Sequence, residues 1–211
     1  RPADRALANE LAALARGGRP QPERQGPRGE TRSSDAEDRL RWIRTELAQG
    51  RLRQGWGASG TELLDAHGRV RSFPDWQRAY ASWVARDWPR PCTEEQMRTR
   101  YSILRTMLDM ARGDIVLVPR VPDEGIFTTA EVAEGYRFDG AHFHDQASGV
   151  LPWNDFGHVV QVHPGSLVEH GYNESLQTRL IKSKFRHYRR CNIQVRNPAL
   201  ANVIREVHAG G

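Results

Sequence analysis

The stretch "ARGDIVLVPRVPDEGIFTTAEVAEGYRFD", residues 111–139, decides how this chain is read. Its first part, "DIVLVPR", is an apolar run of the kind that fills a strand covered on both faces, bounded by Gly113 before it and by the turn-forming "VPDEG" after it. Its second part, "GIFTTAEVAEGYRFD", is rich in β-branched and aromatic residues and reads as a longer strand interrupted at Gly135. A third strand follows in "GHVVQVHP", residues 157–164, and a further one in "CNIQVRN", residues 191–197.

Upstream the texture is helical. "SFPDWQRAYASWVARDW", residues 72–88, opens with Ser72 as a cap and Pro74 in the first turn, and sets Trp76, Tyr80 and Trp83 on one stripe. "TEEQMRTRYSILRTMLDMARG", residues 93–113, offers Thr93 as cap with Gln96 three later, a stripe through Met97, Tyr101, Leu104 and Leu108, and Gly113 as the stop. "PALANVIREVHAG" closes the chain as a helix with Pro198 in its first turn. "GRLRQGWG", residues 50–57, reads as a short strand between glycines. "RLRWIRTEL", residues 39–47, alternates apolar and charged residues as a half-buried strand does, with a helix as the close rival. Helices early, strands later and no βα alternation predict an α+β fold built on a small, strongly bent sheet or barrel.

Residues 1–37 are set apart. "PADRALANELAALARG" has helical spacing, whereas "GRPQPERQGPRGETRSSD" is too rich in Pro, Gly, Arg and Ser to order itself, so a helix and a linker are expected before a folded unit at 38–211. The chain opens on Arg1 and its start lacks an apolar leader core, which reads as a segment of a longer protein. At 211 residues, 38% hydrophobic and 27% charged, it is long enough for one sizeable core, and no window is apolar enough for a membrane span. Cys92 and Cys191 stand far apart without a partner motif, so a reduced, cytoplasmic setting is the default.

Charge is unevenly spread. Residues 121–175 hold nine acidic side chains and one basic, whereas 176–211 hold eight basic and one acidic. A basic end on an acidic body is the electrostatic footprint of a polyanion partner, and the rival reading is a helix face paired against the acidic segment. All but two of the basic residues, Lys182 and Lys184, are arginines, whose planar fork suits phosphates.

Catalytic patterns are weak. His142 and His144 in "HFHD", with Asp145 or Asp155, have metal-pair spacing, yet read better as a polar loop, and no metal or other cofactor is expected. Neither lysine follows a glycine or sits two residues after a carboxylate, which removes the phosphate loop and a common nuclease arrangement. Binding residues are plentiful instead. Trp56 in "QGWGAS" and Trp153 in "LPWNDFG" sit beside turn formers, with Ser59, Asn154 and Asp155 to supply hydrogen bonds, as stacking on an unpaired base requires.

The order of "GRLRQGWGASGTELLD", the 111–139 stretch, "DFGHVVQVHP" and "SLQTRL…CNIQVRNPALANVIREV" resembles the amino-terminal modified-base-sensing region of Mrr-type restriction endonucleases, which is related to EVE, YTH and PUA-like folds. The resemblance spans about residues 38–207 and implies a curved β-barrel flanked by helices that holds an extruded base in an aromatic pocket. It implies pocket roles for Trp56, Tyr136, Phe138, Asp155 and Phe156, beside Ser59, Trp153 and Asn154 from the residue reading. Arg51, Arg53, Arg179, Lys182, Lys184, Arg186, Arg189 and Arg190 are then the expected phosphate contacts. The implied function is recognition of a modified base in DNA within a restriction or antiviral defence system. Any nuclease activity belongs to a further domain or partner, so this segment is not expected to be an enzyme. An RNA reader and a protein-interaction module are the alternatives.

Overall fold

The computed structural model describes residues 6–9, 41–87, 91–140, 156–185 and 192–211. The strands are β1 (Ala6–Asn9), β2 (Arg51–Gln54), β3 (Ile115–Pro119), β4 (Ile126–Phe138), β5 (His158–Val162), β6 (Val168–Gly171) and β7 (Asn192–Val195). Residues 41–48 form helix α1, followed by α2 (Phe73–Asp87), α3 (Glu94–Arg105), α4 (Leu176–Phe185) and α5 (Pro198–Ala209).

All seven strands join one sheet in the order β2-β5-β4-β3-β1-β7, with β6 also on β4. β4 is its spine. One edge of β4 pairs with β3, from Phe127 opposite Pro119 to Glu131 opposite Ile115. The other edge carries β6 over Ile126–Thr129 and then β5 over Val132–Phe138, and a short 3-10 turn at Pro164–Ser166 separates the two partners. Register shifts fall between Val132 and Glu134 and between Glu134 and Tyr136, around Gly135. Each extra residue bends and over-twists its strand, so the mainly antiparallel sheet curls at this point. The architecture is therefore mixed helix and sheet with a curled sheet, as the strand interrupted at Gly135 leads one to expect.

Helices cover both faces. Val116, Val118, Ala130 and Val132 point to one side, into a core with Trp76, Tyr80, Trp83, Met97, Tyr101 and Leu104 from α2 and α3. Ile115, Leu117 and Phe127 point to the other, against Ile181 and Phe185 of α4 and Ala201 and Ile204 of α5. That double cover explains why β3 is buried along its whole length and reads as unbroken apolar sequence. The N-terminal caps fall where the sequence places them: Thr93 and Gln96 form a reciprocal capping box on α3, Ser72 accepts from the Asp75 amide at 3.3 Å, and Pro198 opens α5 behind Asn197, but α3 ends at Arg105 before a 3-10 turn at Thr106–Asp109 and not at Gly113.

Two further expectations fail. Residues 41–48 are helical, not a strand, because Ile43, Glu46 and Leu47 share one buried helical face. Ala6–Asn9 are a strand, not the start of a helix: they pair parallel to β3 and antiparallel to β7, and backbone pairing on both edges outweighs local helical spacing. Among the described residues no helix is long and apolar enough to cross a membrane.

Candidate functional site

The ends of β2, β5 and β4 meet in one row. Gln54, the last residue of β2, lies opposite His158, the first of β5, and His158 lies opposite Phe138, the last of β4. Two residues inward, Leu52, Val160 and Tyr136 form the next row on the same face. The face therefore changes from apolar to polar at the sheet's end, where Gln54 and His158 are 1% and 0% exposed.

His158 is held by Tyr136, whose hydroxyl lies 2.9 Å from Nδ1. The same hydroxyl accepts the Leu63 amide at 3.1 Å. The phenol oxygen keeps a second lone pair, so the contact with Nδ1 is a hydrogen bond in either tautomer of the ring. Burial pushes the His158 pKa down to about 3, against a smaller upward pull from a hydrogen bond with the Trp56 backbone, so the ring is neutral. Burial also raises the Tyr136 pKa far above its ordinary value. The pair is a fixed, uncharged hydrogen-bonding unit. Phe138 meets the His158 ring edge-on, with centroids 5.4 Å apart and planes at 73°.

Among the described residues, neither polar atom of the Gln54 amide has a hydrogen-bond partner, and neither does His158 Nε2. A buried polar group without a partner costs about 1–3 kcal/mol. By contrast, the other histidine cluster is closed, since Thr129 Oγ1 lies 3.0 Å from both His170 Nε2 and His208 Nδ1.

The glycines around Trp56 now have a physical reason. Trp56 adopts φ +67°, a left-handed conformation rare for a side chain of this size, so the chain reverses directly after β2. Gly57 then packs on His158: a Cβ there would lie 2.7 Å from the ring Cδ2. Across from it, the Gly157 amide donates to the Gly57 carbonyl at 2.9 Å, and a Cβ on Gly157 would lie 2.5 Å from that oxygen and 2.7 Å from the Phe138 ring. The indole is partly buried and packs, as Tyr136 does, against the core built on Trp76 and Tyr80, with the Arg100 guanidinium 5.4 Å from its centroid. One face of Trp56 thus has a cation beside it. Arg100 also donates to the Tyr80 hydroxyl at 2.5 Å.

The expected residues divide. Tyr136 and Phe138 meet the His158 ring and the Trp56 backbone reaches it, while Ser59 lies exposed in the following turn. Phe156 belongs to the core, 5% exposed and edge-on to Trp42 at 5.1 Å, which corrects its pocket role. Arg53 is also corrected: its side chain is 6% exposed, paired to Glu46 and to Asp139 at 2.6 Å, and donates to the Phe156 carbonyl at 3.1 Å. Arg51 is tied to Glu46 at 2.6 Å. Burial pushes the Glu46 pKa up, and hydrogen bonds from Arg51 and Arg53 overcome it, leaving the carboxylate below its ordinary range. These two arginines secure α1 to β2, so their charges are spent within the fold. Arg179, Lys182 and Lys184 are exposed on α4. Trp153, Asn154, Asp155, Arg186, Arg189 and Arg190 lie outside the described residues, as do His142, His144 and Asp145.

Gln54 and His158 are missing from the sequence-expected pocket. The signal for Gln54 was present, since "RLRQ" puts a glutamine in phase with the inward Leu52, but its significance depends on the partner strand. No family model matches the chain, nor does any curated protein or solved structure.

Proposed function

We propose that the chain is a nucleic-acid recognition domain of PUA/EVE-like type that senses a modified base in duplex DNA. It would act in a modification-dependent restriction or defence system, with cleavage supplied by a further domain or partner. The observation that carries this reading is the buried row at the sheet end, where hydrogen-bonding groups without partners among the described residues stand beside the Phe138 ring and close to the turn that holds Trp56. An extruded base needs aromatic surface for its faces and fixed polar groups for its edge. The exposed cations of α4 supply the second requirement, sequence-independent attraction to phosphates.

Fluorescence anisotropy over labelled duplexes that differ only in one modified nucleotide tests the proposal. Wild type should prefer one member of the set. Trp56→Ala, shown to be folded by circular dichroism, should lose that preference and keep weak, salt-sensitive binding to every duplex. Equal binding of all duplexes by the wild type overturns the modified-base reading, and tighter binding of single-stranded RNA in competition moves the function to an RNA reader.

Leu176 and Leu180, 75% and 40% exposed beside Lys182 and Lys184, favour a second reading, a protein-interaction module. A protein partner bound at low salt with no measurable nucleic-acid affinity distinguishes it.

A further inference from the structure

Among the described residues three large hydrophobic side chains stand exposed, and two of them, Leu176 and Leu180, share helix α4. Single exposed leucines are ordinary on a protein surface, but a pair one helical turn apart forms a stripe. The stripe is not the side on which α4 packs: Thr178, Ile181 and Phe185 are buried, and Ile181 and Phe185 join the core with Phe127 and Ile204. Resting on the nucleic-acid reading above, we infer that α4 lies in the major groove of a DNA duplex and that Leu176 and Leu180 rest on the C5-methyl groups of thymines there.

At about 100° per residue, Leu176 and Leu180 sit about 40° apart in the middle of the outward face, with Thr178, Ile181 and Phe185 centred opposite them. Arg179 flanks the stripe on one side and Lys184 on the other, and both are exposed. No residue of α4 is acidic, and eight basic side chains stand against one acidic in residues 176–211. Glu174, the nearest acid in the chain, lies against Gly171, and its charge acts on His170 of β6.

The major groove is about 12 Å wide and admits a helix, whose diameter with side chains is about 10–12 Å. Phosphates line both of its banks, and thymine methyl groups are the apolar feature of its floor. An apolar stripe with a cation on each flank matches that cross-section. Phosphate contacts alone would leave the leucines in water, so the cations by themselves do not account for the stripe. The stripe is also firmly held. Ser175 accepts from the Thr178 amide at 3.1 Å and its own amide donates to Thr178 Oγ1 at 3.0 Å, which fixes the turn that carries Leu176. Behind it, Ile181 and Phe185 anchor α4 to the sheet and to α5, so the contact surface is borne by a packed helix and not by a loop.

Fluorescence anisotropy of the full chain on two unmodified duplexes of one sequence tests this. One duplex carries thymine and the other carries deoxyuridine, which lacks only the methyl group, at every thymine position. The wild type should bind the thymine duplex about 4-fold tighter for each methyl group that a leucine covers. Leu176→Gln combined with Leu180→Gln, shown to be folded by circular dichroism, should bring the two duplexes to within about 1.5-fold, with the slope of log K against log salt unchanged. Equal binding of the two duplexes by the wild type overturns the inference and leaves the leucines to the protein partner of the second reading, and this arm needs no variant. Discrimination that survives intact in the folded double variant overturns it as well. Both of those outcomes leave duplex binding, and so the proposed function, standing, whereas a wild type that binds no duplex at any salt concentration overturns the function and this inference together.

Discussion

At the scale of single residues, the site depends on places where a side chain is missing. Gly57 and Gly157 exchange a backbone hydrogen bond of 2.9 Å and bring two chain segments to a distance that no Cβ fits. Gly157→Ala would press its methyl group against the Gly57 carbonyl at 2.5 Å, which backbone cannot easily relieve, so a loss of about 2–3 kcal/mol is expected in urea unfolding. A loss below about 0.5 kcal/mol would mean that the segments are not held this tightly. The glycines flanking Trp56 were visible as an oddity in "QGWGAS", and a sharp turn explains them. What they approach was not visible, because His158 is 101 positions from Gly57 in the chain and meets it only through the pairing of β2 with β5.

Elements add charge and its neutralisation. Arg51 and Arg53 look from sequence like cations on a strand's outer face, the same pattern as Arg179, Lys182 and Lys184 in the C-terminal basic segment. The structure separates them: α1 brings Glu46 against the first two, while α4 holds the other three at the surface. Under the proposed function only the α4 group should contribute to phosphate binding. Replacing Arg179, Lys182 and Lys184 with Gln should lower the slope of log K against log salt by about 0.9 per cation that contacts phosphate, with base preference unchanged. An unaltered slope would remove α4 from the interface. The alternation in "RLRWIRTEL" was readable either way, since Ile43 and Leu47 fit helical spacing and Leu40 with Trp42 fit a strand. The Ile43, Glu46 and Leu47 face decided in favour of the helix by packing on the core and ion-pairing with β2.

The whole molecule should carry the signature of its buried histidines in its response to acid. His158 has a folded pKa of about 3 against 6.5 for the free side chain, so between those values the unfolded chain takes up a proton that the folded chain refuses. Stability is therefore complete above about pH 6.5 and falls as pH drops toward 3, by up to about 1.4 kcal/mol per pH unit for this one group. Burial lowers the pKa of His170 and His208 as well, which adds to the fall with the same sign. Loss of the Glu46 ion pairs enters only below the free carboxylate value of 4.5. Urea midpoints between pH 7.5 and 5 should show this decline, and His158→Phe should flatten it; a wild-type midpoint constant over that range would mean that the folded chain takes up protons as readily as the unfolded chain, against a depressed His158. The sequence by itself determined the α+β class, the apolar run of β3, the long interrupted β4, the amphipathic stripes of α2 and α3 and the caps, because each is written in neighbours a few positions apart. Only the tertiary structure decided that Ala6–Asn9 is a strand, that Arg53 is neutralised inside, and that Gln54 stands opposite His158 with its amide unpartnered among the described residues. Those outcomes depend on which distant backbone or side chain lies opposite, and that is set by the register of the sheet and the packing of helices on it, not by any local pattern of residues.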